Sequence, residues 1–295
     1  MKILVTGSDG QVGHELLKTL APLGQVIGVT RKDADLASEK EVAALLGRHN
    51  PDVVVNPAAY TAVDKAETEQ DAAYALNERA PELMAAWCHA QNRLLVHYST
   101  DYVYPGTGDA AQTETTPTGP ASVYGKSKLA GDEAVLREAP EALIFRTSWV
   151  YGARGRNFML TMLKLAAEKS RLTVVADQVG APTPAWLIAQ VTAIAVRERL
   201  AGRADISGVF HLTCRGAASW CDFAREIVAR ARSAGRTLAM DENQVYPIPT
   251  TDYPAPAPRP ANSRLDVSRL EQALGLTLPQ WQSALSITLA DLREE

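Results

Sequence analysis

One stretch limits the folds open to this chain more than any other: Thr6-Gly7-Ser8-Asp9-Gly10-Gln11-Val12-Gly13. It follows the apolar run Lys2–Thr6 and leads into Gln11–Leu20, where Val12, Leu16, Leu17 and Leu20 form one stripe at helical spacing. A glycine turn between a buried strand and a helix has a physical reason. Gly7 permits the tight turn, Gly10 lets a pyrophosphate approach the backbone, and Gly13 allows the helix to pack close to the sheet. An anion held there meets free N–H groups and the positive end of the helix. Such glycines can also serve packing alone. Their position after a short strand and before a helix points to dinucleotide binding.

The rest of the first half continues the pattern. Gln25–Thr30, Asp52–Asn56, Arg93–Ser99 and Leu143–Thr147 read as strands, with few charges inside, as expected when both faces are covered. Glu39–His49, roughly Asp71–Gln91 and Tyr124–Glu138 read as the intervening helices. Alternating units of this kind predict an α/β fold: a Rossmann-like, doubly wound parallel sheet. The second half is less regular. Asn157–Lys169, Pro184–Leu200, Ser219–Ala234 and Pro279–Arg293 look helical, with a short strand near Val209–Leu212. Residues 1–150 are therefore read as a dinucleotide-binding domain to which parts of 180–225 return. Residues 151–295 are read as mainly a smaller, mixed α/β substrate-binding domain with discontinuous boundaries. Tyr246–Pro260 is too rich in proline for a helix interior or a central strand. It reads as a semi-rigid loop against a cleft rather than a linker.

Composition removes several classes. Hydrophobic residues make up 46% and charged residues 22% of the 295, which argues against disorder. A net charge of −4 gives no basic surface for nucleic acid or an anionic membrane. The apolar stretch Ala185–Val196, interrupted by Gln190 and Thr192, is too short to span a bilayer, and Ile3–Val5 is too short for a signal peptide. Three cysteines, Cys88, Cys214 and Cys221, form no paired motif, so the cytoplasm is the expected compartment. The five histidines show no ligand-type spacing, and no metal site is predicted.

Two constellations carry chemistry. At the end of the second strand, Thr30 is followed by Arg31 and Lys32, where an NAD-specific site usually places a carboxylate for the ribose 2′-hydroxyl. Two cations there would neutralise a 2′-phosphate, so NADPH is the expected reductant, with NADH left open; Asp33 and Asp35 blunt the inference. The second constellation is Tyr124-Gly-Lys-Ser-Lys128, which sets a phenol and an ammonium one helical turn apart. Chance supplies such a pair about 0.3 times in a chain of this composition, so context must carry it. Ketone reduction needs a proton donor, and a free tyrosine near pKa 10 is a poor acid–base at neutral pH. A neighbouring ammonium favours the phenolate. A hydroxyl beside the carbonyl oxygen would polarise it, and Ser99 and Thr100 stand at the strand end where such a group belongs. Asp101 is either a loop-capping carboxylate or a ligand for a substrate hydroxyl.

The glycine loop, the strand-end hydroxyl and the Tyr-x-x-x-Lys spacing together resemble the extended short-chain dehydrogenase/reductases. Longer blocks narrow the resemblance to the dTDP-4-dehydrorhamnose reductases: Val55–Glu67 (VNPAAYTAVDKAE), His97–Gly106 (HYSTDYVYPG), Phe145–Gly152 (FRTSWVYG), Asp177–Thr183 (DQVGAPT) and Arg259–Asp266 (RPANSRLD). The resemblance implies reduction of the 4-keto group of dTDP-4-dehydro-β-L-rhamnose. Tyr124 would be the proton donor, Lys128 its ribose-binding partner and Thr100 the hydroxyl at the ketone. Gly7, Gly10, Gln11, Val12, Gly13, Thr30, Arg31, Asp35, Leu36, Ala59, Tyr60, Thr61, Tyr98, Tyr124 and Lys128 would line the cofactor. Thr100, Asp101, Tyr102 and Trp149 would meet the sugar nucleotide. Asn157 and Arg259 are candidates for its diphosphate, although Asn157 would serve equally as a helix N-cap and Arg259 as a plain surface cation. Pro57 departs from the commoner alanine. Some relatives bind Mg²⁺ through carboxylates at a dimer contact; Glu15 fits that idea, but Trp186 stands where a second carboxylate is wanted, so the sequence does not support it. The expected assembly is a monomer or homodimer whose only partner is a small nucleotide sugar. The rival readings are an epimerase or 4,6-dehydratase of the same fold, or a non-catalytic nucleotide-binding regulatory subunit.

Overall fold

The computed structural model describes residues 1–292. Its centre is a six-stranded parallel sheet built from β1 (Lys2–Val5), β2 (Gln25–Gly28), β3 (Val53–Asn56), β4 (Leu94–Thr100), β5 (Leu143–Thr147) and the strand Gly208–His211. In space the order runs from Gly208–His211 through β5, β4, β3 and β1 to β2. Alternation along the strands explains why the sheet is covered on both faces. Ile3, Val5, Val53, Val55 and Val96 enter one core, while Leu4, Val54, Leu95 and Ile144 enter the other. On the first face lie α1 (Gln11–Thr19) and the helix Ala185–Leu200, which pack on each other. On the second lie α2 (Glu39–His49) and Ala80–Ala90, which bury Val42, Leu45, Leu46 and Met84.

The chain turns one way from β1 to β2 and then crosses back to lay β3 on the other side of β1. That reversal opens a crevice beyond the carboxyl ends of β1 and β3. Everything chemically distinctive in the sequence gathers at that end. The helix Val123–Glu138 is fixed there by its N-cap, Ser122, whose hydroxyl accepts from the Gly125 amide at 3.1 Å.

Three local differences from the sequence reading have physical causes. The helix expected over Asp71–Gln91 is Gln70–Tyr74, a wide π turn at Ala75–Arg79, then Ala80–Ala90. The widened turn lets the buried Asn77 accept from the Tyr60 amide at 2.8 Å and donate to the Tyr60 carbonyl at 3.1 Å. Tyr246–Ile248, read as part of a loop, belongs to the strand Val245–Ile248, which pairs in parallel with Leu172–Val175. Pro247 is tolerated because a two-stranded ribbon leaves one side of each strand free. The helix expected over Pro279–Arg293 is Trp281–Ala290, and Arg293 itself lies outside the described residues. Among the described residues no helix is long and apolar enough to cross a membrane.

Candidate active site

The glycine turn opens into the crevice. Gly7 has φ +52°, and a Cβ there would lie 3.1–3.3 Å from Ala58 at the end of β3. A Cβ on Gly13 would sit 2.1 Å from the Gly7 carbonyl oxygen, so only glycine lets α1 start this close to the turn. Gly10 caps α1 without a side-chain hydrogen bond, and the first turn carries no carboxylate. An uncapped helix N-terminus facing a glycine cradle is the donor set a dinucleotide pyrophosphate requires, so these residues fit that group. Gln11 stands beside it, half-buried, its Oε1 accepting from Asn157 Nδ2 at 2.9 Å.

Arg31 and Lys32 lie exposed beyond the end of β2. Asp33 is folded back on the turn: its Oδ2 accepts from the Thr30 amide at 2.8 Å and from Thr30 Oγ1 at 2.9 Å. Those two bonds hold the Asp33 carboxyl below the usual range and engage the carboxylate nearest the cations. Asp35 is occupied locally too, accepting from Ala37 N at 3.0 Å. Leu36 packs on the core behind α2, and Tyr60 closes the wall, its phenol donating to Glu69 at 2.6 Å. Ala59 is half-buried and Thr61 exposed beside it.

The Tyr98 side chain points into the core. Its ring is buried against Phe145 and its hydroxyl pairs with Thr192 at 2.8 Å, on the far side of the sheet core. What Tyr98 offers the site is its carbonyl, which accepts from Lys128 Nζ at 2.6 Å.

At the end of β4 the chemistry converges. Thr100 and Asp101 are 6% and 3% exposed, Lys128 is 2% exposed, and Tyr124 is half-buried. The Thr100 hydroxyl donates to Asp101 Oδ1 at 3.1 Å and accepts from the Tyr102 amide at 3.2 Å. Burial pushes the Tyr124 phenol up, against the opposing effect of its contact with Thr100, so it enters the site as a proton-bearing acid. Burial also pushes the Lys128 ammonium down to about 8, with Asp132 one turn along the helix acting in the opposite sense. Asp101 rises to about 6, again through burial, opposed by the nearby hydroxyls of Ser263 and Thr100. Its Oδ2 is buried without a partner, as an oxygen awaiting a ligand hydroxyl would be.

The rim comes from both parts of the chain. Tyr102 sits edge-on to Tyr124, ring centroids 5.4 Å apart. Arg259, from the proline-rich loop, donates to Asp64 at 2.7 Å and to the Tyr102 hydroxyl at 3.4 Å, so that loop does lie against the cleft. Trp149, with φ +49°, stacks on Trp220 with centroids 3.5 Å apart. Asn157 is the N-cap of Phe158–Glu168: its Oδ1 accepts from Leu160 N, and its amide also serves Gln11 and the Gly152 carbonyl. That engages the donors of its amide. Glu15 pairs with Lys18 at 3.1 Å, and Trp186 donates to Thr288.

Sequence reasoning passed over three polar residues behind the site. Asn56 and His97 are register partners on β3 and β4, both buried, and Asp132 is buried below Lys128. For Asn56 and His97 the available signal is a polar side chain within a strand otherwise rich in Val and Leu; Asp132, on the helix Val123–Glu138, carries no such signal.

Comparison with known proteins agrees with this geometry. A family model described as RmlD substrate binding domain matches residues 1–294. A dTDP-4-dehydrorhamnose reductase of Burkholderia thailandensis is 48% identical, over 99% of each chain. A crystal structure of a dTDP-4-dehydrorhamnose reductase from Clostridium acetobutylicum superposes with a TM-score of 0.91 at 37% identity, covering 100% of both chains. One from Bacillus anthracis, in complex with NADP, does so with a TM-score of 0.88 at 30% identity, covering 98% of this chain and 99% of that one.

Proposed function

The chain belongs to the dTDP-4-dehydrorhamnose reductase family, and we infer that it reduces the 4-keto group of dTDP-4-dehydro-β-L-rhamnose to dTDP-L-rhamnose, with NADPH as reductant. The observation that carries the mechanism is the gathering of Thr100, Tyr124 and Lys128 at the end of β4, beside the glycine crevice. NADPH, when bound, supplies hydride to the ketone carbon. Tyr124 gives its phenolic proton to the oxygen, for which a phenol pushed up by burial is in the right state. Lys128 as an ammonium stabilises the phenolate left behind and reaches the nicotinamide ribose. Thr100, turning its hydroxyl from Asp101 to the carbonyl oxygen, donates to it and polarises it.

Gly7, Gly10, Gln11, Val12 and Gly13 would hold the pyrophosphate, with Leu36, Ala59, Tyr60 and Thr61 along the nucleotide. Arg31 and Lys32 would take the 2′-phosphate, a reading supported by the engagement of Asp33 with Thr30. Asp101, Tyr102, Trp149 and Arg259 would meet the sugar and its diphosphate, Asp101 through its unpaired oxygen and Arg259 by exchanging Asp64 for phosphate. Residues 1–150, joined by Ala185–His211, would form the nucleotide half, and the remainder the sugar half. Three unpaired buried cysteines favour a reducing compartment, the cytoplasm.

Turnover of dTDP-4-dehydro-β-L-rhamnose followed by NADPH absorbance tests the assignment. Tyr124→Phe should lower kcat by about a hundredfold or more, the range of a positioned general acid. Undiminished turnover by Tyr124→Phe would remove the mechanism. A folded wild-type protein without turnover would remove the reaction.

A further inference from the structure

Behind Lys128 lies a line of buried polar groups that runs back to the glycine turn. Lys128 Nζ is 3.1 Å from His97 Nε2, and His97 Nδ1 is 3.2 Å from Asn56 Nδ2. Asn56 Oδ1 is 2.6 Å from Thr6 Oγ1, and Thr6 immediately precedes Gly7. Thr6 and His97 are 0% exposed, Asn56 1% and Lys128 2%. Four buried polar residues, two of them on Val- and Leu-lined strands, are costly unless hydrogen-bonded.

The roles interlock. With the Asn56 amide nitrogen facing His97, Nδ1 must accept, so the imidazole proton sits on Nε2 and points at Lys128. Lys128 then receives that N–H on its lone pair, donates to the Tyr98 carbonyl, and is an uncharged amine. An ammonium has no lone pair. It must donate to Nε2, which places the imidazole proton on Nδ1 and requires the Asn56 amide to turn its oxygen toward His97 and its nitrogen toward Thr6. Between the two arrangements the set gains one proton, on Lys128. The imidazole keeps a single N–H and stays neutral, in keeping with its complete burial.

We propose that His97 is a positioning residue for Lys128, a neutral imidazole whose two tautomers, paired with two orientations of the Asn56 amide, let one buried lysine hold or release its proton while Nζ and both ring nitrogens keep their partners. The proposal rests on the reading of Lys128 as part of the catalytic set. The charged and titratable groups around the lysine are Tyr124 and Asp132 on its own helix, His97 on β4, and Arg146 on β5, which pairs with Asp132 at 3.0 Å. Of these groups His97 is the one within hydrogen-bond distance of Nζ, and a neutral imidazole can present either a donor or an acceptor there.

Two readouts test it. In protein free of nucleotide, ¹⁵N NMR of the imidazoles, assigned with His97→Gln, should show His97 exchanging tautomer as pH crosses the lysine titration. In Lys128→Met that exchange should disappear. In turnover, Asn56→Asp fixes an acceptor opposite Nδ1, favours the ammonium, and should move the alkaline limb of kcat up by about one pH unit; His97→Phe should move it down by a similar amount. His97→Met, which offers Nζ a weak acceptor and no N–H, should fold and bind NADPH but lose the wild-type profile. A single His97 tautomer through the whole range, or variant pH profiles that overlay the wild type, overturns the proposal. If Lys128→Met itself retains full turnover, the reading of the catalytic set has failed instead.

Discussion

The helix that carries Tyr124 and Lys128 is tied to β5 by Asp132 and Arg146, at 3.0 Å with side chains 1% and 6% exposed. Arg146 also donates to the Tyr104 hydroxyl at 2.8 Å, which pairs with His211 at 2.7 Å. Asp132→Asn leaves the volume nearly unchanged but strips the guanidinium of its counter-charge inside the fold. Removing one partner of a buried pair costs about 3–5 kcal/mol, whereas replacing both with apolar residues is near neutral. At about 2 °C per kcal/mol for a chain of this size, Asp132→Asn should melt about 6–10 °C below wild type, while Asp132→Leu combined with Arg146→Met recovers most of the loss. Thermal and urea unfolding of the wild type, both single variants and the double variant complete the cycle. An Asp132→Asn protein within about 1 kcal/mol of wild type, or a double variant as unstable as the sum of the singles, would refute this account of the clamp.

Two further predictions use other parts of the site. Arg31→Ala should raise KM for NADPH by about tenfold and leave KM for NADH nearly unchanged, since only the former carries a 2′-phosphate. Equal effects on both reductants would place the phosphate elsewhere. Asp101 is raised from its ordinary 3.8 to about 6, so the fold prefers its protonated form. Wild type should therefore lose stability relative to Asp101→Asn as pH rises from about 4 to about 6, with no further divergence above that. Urea unfolding across this window reads the slope, and a gap that widens instead toward acid pH contradicts the assignment.

Much of the frame is legible in the sequence because burial on both faces writes itself into composition. Runs such as Val53–Val55 cannot face water on either side, and the glycine turn fixes where the first crossover begins. Thr100, Tyr124 and Lys128 are legible because the proposed chemistry demands particular functional groups at strand and helix ends. Less visible were properties set by orientation. Tyr98 has the right position for a cofactor wall, yet strand alternation sends its phenol to Thr192. The Val245–Ile248 strand hides behind prolines because its partner, Leu172–Val175, lies far away in the chain. His97 is not singled out by the sequence because its five histidines share no distinctive spacing, and its partner Asn56 stands beside it only once β3 and β4 are in register.

The crossover that places β3 beside β1 separates the molecule into two rims with unequal obligations. The turns entering β2, β3, β4 and β5, at Gly24, Asn50, Asn92 and Ala139–Ala142, lie at the opposite ends of these strands from Thr100 and the glycine loop. Asn50 and Asn92 already adopt left-handed backbone, φ 41° and 52°, as abrupt reversals require. That quieter edge is the natural place for a fluorophore, an affinity handle or a surface tether, leaving the opposite mouth clear for nucleotide and sugar to enter.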